Sequence, residues 1–262
     1  MFMRHRKKFI AAIFLLLFFI LILLIIDKKI RFNLLFANKY EIRGVDVSHY
    51  QGDIDWEKMA DENIDFAYIK ATEGSGFVDE KFRQNWENIA QTDLCYGAYH
   101  FFSFDSAGET QAQNYISTVG SLDGKLVPVV DVEYYGDRES RKNELDRKAI
   151  TEELGVLLRA LEEEYHSKPI IYTTYSAYHD FVEGGFNEYD LWIRNVYYPP
   201  DIGMKGRWLY WQYTDRAEFD AYTGEEQYID MNVFAGSRTE FLNMVLPSNG
   251  AKADDLMQSV FS

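Results

Sequence analysis

The sequence predicts an α/β protein, an irregular TIM-like (β/α)5(β)3 barrel preceded by one N-terminal transmembrane helix. Three observations carry that reading. Eight apolar runs of strand length recur after about residue 41. Segments of helical character separate the first five, and the later connections are too short for full helices. Ahead of them, FIAAIFLLLFFILILLII runs from Phe9 to Ile26 with neither a charge nor a proline.

That apolar stretch of eighteen residues is near the lower limit for crossing a bilayer as a helix. It is longer than the apolar core of a usual cleavable signal peptide, and Leu35-Phe36-Ala37 matches a cleavage site only weakly. An uncleaved signal anchor is therefore favoured over a cleaved signal. A core helix is disfavoured, because a helix apolar on all sides has no face for water. Arg4, Arg6, Lys7 and Lys8 precede the span; Lys28, Lys29 and Arg31 follow it. The balance favours a cytoplasmic N-terminus. The expected organisation is a basic tail at 1–8, an anchor at 9–26 and a membrane-proximal stalk at 27–40. The barrel then fills 41–246, and a loose tail 247–262. The expected location is the cell membrane, single-pass, with the barrel outside the cytoplasm.

The first strand is read at IRGVDVS, 42–48, followed by FAYIKAT (66–72), CYGAYHFF (95–102), LVPVVDVE (126–133) and PIIYTT (169–174). The last three are LWIRNV (191–196), WLYWQY (208–213) and YIDMNVF (228–234). Among the helical segments, 141–165 carries Leu154, Leu157, Leu158 and Leu161 at spacings of three and four, one apolar stripe. Strands alternating with helices imply a parallel sheet, and eight of them suggest closure into a barrel.

Charge narrows the function. Residues 1–31 hold seven Lys/Arg and one acid, leaving 20 basic and 41 acidic residues in 32–262, a net charge of −21. A domain so acidic is not expected to bind nucleic acid, which needs a positive footprint. Cys95 is the chain's one cysteine, so no internal disulfide forms, and its apolar surroundings suggest a small core residue.

In such a barrel the chemistry sits at the C-terminal ends of strands. There the chain places Asp46-Val47-Ser48, Asp131-Val132-Glu133 and Asp230-Met231-Asn232. Each triplet puts an acid and a second polar group on one face of a strand, because side chains alternate with period two. One such triplet means little. Three, aimed at one mouth, bring Asp46, Asp131, Glu133 and Asp230 together as the candidate catalytic cluster. Tyr99, Tyr172, Trp192, Trp211 and Tyr213 lie on or near strand ends, and alternation allows only some of them to face inward. Aromatic faces beside clustered acids suit a sugar ring.

GVDVSHYQGDIDW, AYIKATEG, GAYHFF, PVVDVE, IIYTT, LWI and WQYTD…YIDMNVF follow in order the motif series of the family-25 glycoside hydrolases, which the chain resembles over about 42–236. The resemblance implies an N-acetylmuramidase-type lysozyme, cleaving the β-1,4 bond between N-acetylmuramic acid and N-acetylglucosamine in peptidoglycan glycan strands. It puts the acid on Glu133, with Asp131, Asp46 and Asp230 completing the cluster. Tyr99, Tyr172, Trp192 and Gln212 match positions that shape the sugar site. LWIRNVY departs from the usual pattern by placing Arg194 where a small residue is common.

Such a cleavage needs a proton for the leaving oxygen and a group to meet the oxocarbenium-like carbon. Glu133 is the expected acid, its proton affinity raised by the neighbouring anions. For the second role two routes stay open: a carboxylate acting directly or through water, or attack by the substrate's own acetamido oxygen, oriented by Asp131. The second is favoured, since both sugars carry N-acetyl groups. The five histidines show no paired metal-ligand spacing, and neither metal nor cofactor is expected. The alternative function is a membrane-tethered glycan-binding barrel that has lost activity. With no wall-binding repeats in view, the span would localise the barrel. Its task would be local wall opening or remodelling, perforce near the membrane, for wall-spanning machinery that the sequence does not identify.

Overall fold

The computed structural model describes residues 2–26, 33–136, 142, 144–200 and 208–248. Part of the expected stalk, 27–32, and nearly all of the expected C-terminal tail lie outside them. The chain starts with α1 (Phe2–Ile26), whose stretch Arg6–Leu24 is long and apolar enough to cross a membrane and is not buried against the rest of the protein. At 1.5 Å per residue α1 is about 37 Å long.

The eight expected strands are all present: β1 (Arg43–Val47), β2 (Phe66–Glu73), β4 (Cys95–Phe101), β5 (Val129–Val132), β6 (Ile170–Thr174), β7 (Leu191–Arg194), β8 (Trp208–Ala217) and β9 (Ile229–Phe234). One further strand, β3 (Phe77–Val78), folds back on β2 as a short hairpin. β1 pairs with β2 on one side and β9 on the other, so the eight long strands form a closed barrel.

The sheet is mixed, not parallel throughout. β9 runs antiparallel to both β8 and β1. Asp230 therefore stands near the start of its strand, not at its end. The reversed direction brings that start to the mouth where the other strands finish, and the register sets Asp230 opposite Asp46. A parallel β9 would need a crossover; the short connection from β8 permits only a reversal.

Alternation sorts the side chains into two layers. Inside the barrel, Phe66, Tyr68, Tyr172, Trp192, Tyr210 and Phe234 form one buried cluster. Their rings meet mostly edge to face, as in Phe66–Tyr210 (5.4 Å, 80°) and Tyr210–Phe234 (5.0 Å, 67°). Gly44 leaves the space Phe66 occupies, since a Cβ there would lie 2.4 Å from the Phe66 carbonyl oxygen. Phe241, from α8 (Arg238–Leu242), packs on Phe66 and Phe234 and closes the floor. This filled interior is why the cleft opens at the mouth only.

The outer layer packs strand side chains such as Val45, Val130, Val132 and Ile171 against helices. These are α3 (Trp56–Asp61), α4 (Phe82–Ile89), α5 (Gly108–Val119) and α6 (Arg147–Tyr165). The predicted stripe Leu154, Leu157, Leu158 and Leu161 is fully buried. Asp146 caps α6 by accepting from the Lys148 and Ala149 amides, both at 3.1 Å. The fifth connection shrinks to one turn, α7 (Tyr175–Ala177), and a π turn (Tyr178–Val182). A short helix, α2 (Asn33–Ala37), also lies on the barrel, inside the segment expected to be a stalk.

α5 meets α6 at Gly108, where an added Cβ would lie 2.1 Å from the Glu153 carbonyl oxygen. Gly108→Ala should push the two helices apart and cost about 1–3 kcal/mol. Chemical denaturation measures this; a loss below about 0.5 kcal/mol, the range of neutral surface changes, would show that the helices yield freely.

Candidate active site

The mouth holds an open cleft of about 700 Å³. All four predicted acids line it, with Tyr99 and Tyr172. Asp46 and Asp230 come from paired strands, while Asp131 and Glu133 share the inward face of β5 and the residue after it.

Asp46 is the most tightly held. Its Oδ1 accepts from Asn232 Nδ2 (2.7 Å), and Gln212 Nε2 donates to Oδ1 (3.0 Å) and Oδ2 (3.3 Å). Both amides are oriented from behind. Trp192 Nε1 donates to Asn232 Oδ1 (2.9 Å), and the Tyr172 hydroxyl donates to Gln212 Oε1 (3.1 Å). Because indole nitrogen only donates, Asn232 must turn its oxygen to Trp192 and its NH2 to Asp46. The Trp192 and Tyr172 rings meet at 5.3 Å and 83°, closing the circuit.

Of the residues expected to shape the sugar site, Tyr99 and Tyr172 line the cleft, whereas Trp192 and Gln212 are buried and carry the hydrogen bonds that hold Asp46 and its partner Asn232. Trp211 and Tyr213 face outward into the shell between strands and helices.

The acids differ in their surroundings. Asp131 is buried, and its Oδ1 has no hydrogen-bond partner among the described residues. Burial, then the Glu133 charge, pushes its carboxyl well above the usual carboxylate range; Lys70 and Arg194 oppose this. Asp230 is raised likewise, by burial and then Asp46. For Asp46 burial also raises the proton affinity, and the two amides with Arg194 pull it back. Glu133 is raised chiefly by burial, with Asp46 adding and Arg194 and Lys70 opposing. Desolvation thus outweighs the anionic neighbours that sequence reasoning invoked. All four carboxyls are raised from their ordinary values, Asp131 and Asp230 furthest.

Two cations missing from the predicted site enter the cleft. Lys70 is buried, bonds Glu73 (2.8 Å) and lies 4.9 Å over the Phe101 ring. Its signal was available: Lys70 falls in phase with the inward Phe66 and Tyr68. Arg194 bonds Asp215 (2.9 Å) and, with Glu133, also lines a second cavity of about 350 Å³ walled by Tyr134, Tyr175, Tyr197 and Tyr198. Among the described residues no group of His, Cys, Asp and Glu is arranged to hold a metal ion. His100 is buried between Thr72 Oγ1 (2.7 Å) and Gln111 Oε1 (3.0 Å), with its pKa pressed by burial down to about 4. It is structural. Half-buried Cys95 has its thiol raised by burial to about 11, and it stays protonated.

The family model for glycosyl hydrolases family 25 matches residues 45–221. The chain belongs to glycosyl hydrolase family 25. A solved family 25 glycosyl hydrolase from Bacillus anthracis is 47% identical, with a TM-score of 0.73, covering 78% of this chain and 94% of that one. Lysozyme M1 of Streptomyces globisporus is 29% identical over 220 residues, 79% of this chain and 72% of its own. The protein YegX of Escherichia coli O157:H7 is 38% identical over 216 residues, 80% of this chain and 75% of its own. As a family 25 member the chain is a glycoside hydrolase of the lysozyme and muramidase type, and peptidoglycan is its class of substrate.

Buried acids destabilise a fold, and the sign of the effect is clear here. A carboxyl whose folded pKa lies above its unfolded value confers stability at low pH that fades as pH rises through the folded pKa. Asp131→Asn and Asp230→Asn remove that loss. Each should raise stability at pH 7 by roughly 0.5–2 kcal/mol, as active-site neutralisations commonly do, with the gain vanishing near pH 4. Thermal melts across pH check this; an equal gain at both ends would assign the effect to packing.

Proposed function

We propose that the chain is an N-acetylmuramidase that cuts the β-1,4 bond after N-acetylmuramic acid, with Glu133 as general acid and Asp131 orienting the substrate's acetamido group. The observation that carries this is the unpartnered buried Oδ1 of Asp131, one strand step from Glu133 at the cleft. An unmet acceptor is costly in a native structure unless a ligand meets it. An acetamido N–H is a donor of the right kind.

In this reading, donation to Asp131 lowers its proton affinity and leaves the shared proton on Glu133. Glu133 gives that proton to the glycosidic oxygen as the C1–O bond breaks. The acetamido oxygen bonds to C1, and the anionic Asp131 offsets the positive charge that spreads over the amide. Water then attacks C1, loses its proton to Glu133 and releases the acetamido oxygen. Asp46, held by three N–H···O contacts from Asn232 and Gln212, is fixed in place beside the reacting sugar. The alternative route, with a carboxylate acting directly or through water, would use the same cluster of acids.

Glu133→Gln should lower kcat about 10²- to 10⁴-fold with the fold intact. Release of reducing ends from peptidoglycan measures it; activity within tenfold of the parent removes Glu133 from the role. The first product anomer separates two of the routes: inversion replaces acetamido attack with directed water, and retention excludes directed water. Loss of cleavage on a substrate whose acetamido group is replaced by a hydroxyl then distinguishes acetamido attack from a carboxylate acting directly.

The apolar α1 supports the further reading of a single-pass signal anchor, with the barrel outside the cytoplasm and its action confined to glycan near the membrane. Its task there would be local wall opening or remodelling. Alkaline carbonate should leave the full chain in the membrane fraction. A soluble product with a shortened N-terminus would instead mark a cleaved signal.

A further inference from the structure

Directly after residues 27–32, α2 shows two unlike faces. Its inner face is anchored to the barrel. Asn33 is 1% exposed, and its Nδ2 donates to the carbonyl oxygens of Asn195 (2.8 Å) and Tyr213 (3.0 Å). Ala37 is fully buried, and nearby Tyr40 packs edge-on against Trp208 (5.7 Å) and Trp211 (6.3 Å). The outer face is Leu34, Leu35 and Phe36, exposed by 55%, 72% and 47%. Among the described residues Leu35 is more exposed than any large apolar side chain of α1, and no other run of three exposed large apolar residues occurs outside α1.

These side chains cannot turn inward, because Asn33 and Ala37 fix the helix from its other side. A fixed apolar face of this kind marks a contact surface. We propose that Leu34, Leu35 and Phe36 enter the headgroup–acyl boundary of the bilayer that α1 crosses, so that α2 holds the barrel to the membrane surface at a set orientation. The proposal rests on the anchor reading of α1.

Three points select lipid as the occupant. The first is reach: seven residue steps from Ile26 to Asn33 extend at most about 25 Å, so α2 cannot leave the vicinity of the membrane. The second is charge. NLLFA carries none, while 32–262 as a whole is strongly acidic and is repelled by anionic lipid, so an uncharged face is the one that can approach. The third is composition: a short helix with an apolar face that lies flat on a bilayer buries leucine and phenylalanine at this depth. The docking also reaches the site. Asn195, gripped by Asn33 through its carbonyl, accepts from the Tyr197 and Tyr198 amides (3.0 and 3.2 Å) on the loop that walls the second cavity. A barrel seated on α2 therefore presents that cavity at a fixed angle to the membrane.

The test uses the full chain in vesicles of phosphatidylcholine and phosphatidylglycerol, in a Cys95→Ala background that retains glycan hydrolysis. Single fluorophores are placed by Leu35→Cys on α2, Leu17→Cys on α1 and Glu87→Cys on α4, and quenching by brominated lipid is read. Should Cys95→Ala fold poorly, Cys95→Ser serves as background. Expected is quenching at position 35 at least threefold above that at 87 and within twofold of that at 17. Quenching at 35 no greater than at 87, with 17 quenched, overturns the docking and leaves the anchor standing. No quenching at 17 sinks the anchor reading and the docking with it. Self-quenching at 35 between labelled chains, without quenching by lipid, replaces lipid with a second copy and overturns the proposal.

Discussion

The antiparallel pairing of β9 with β1 is the constraint on which the site depends. It closes the barrel and in the same register sets Asp230 against Asp46 and Asn232 against Gly44. Asn232 can reach Asp46 only because β9 enters from the mouth. Without that pairing Asp46 would lose one of its two amide partners, and the mouth would lose an acid.

Behind the acids lies a layer that makes their charge tolerable. Trp192 and Tyr172 do not meet the cleft as donors; they spend their polar atoms on turning two amides toward Asp46. Asp131 lacks such support, and its Oδ1 is one of four buried side-chain polar atoms without a hydrogen-bond partner among the described residues. The contrast is one of support: one carboxylate is held by two oriented amides, and the other is not. Lys70 and Arg194 limit how far the cluster's proton affinity rises, each tied to an acid at the periphery through Glu73 or Asp215. These cations oppose the rise that burial produces in Asp131 and Glu133.

The short helix α2 shows a similar contrast between its two faces. Asn33 donates to two backbone carbonyls, whereas the three apolar side chains beside it stand exposed among the described residues. Under the proposed anchor, the hydrolase would reach glycan only within a short radius, which would suit limited opening of a wall better than its bulk lysis.

Much of this was legible from local pattern. Period-two alternation located the eight strands and correctly divided Asp46, Asp131, Glu133 and Asp230 from the outward valines, because a strand's facing is a property of its own backbone. The leucine stripe of α6 and the apolar span were visible for the same reason. What tertiary structure alone decided are matters of depth and direction. That Trp192 and Gln212 are buried and brace Asn232 and Asp46 depends on how far below the mouth their strands set them. That Asp230 begins its strand follows from a reversal made between β8 and β9. Burial, which outweighs charge repulsion in raising Glu133, is a sum over neighbours distant in sequence. The seating of Asn33 on β7 and β8 spans more than 160 residues, and no local periodicity records a contact of that range.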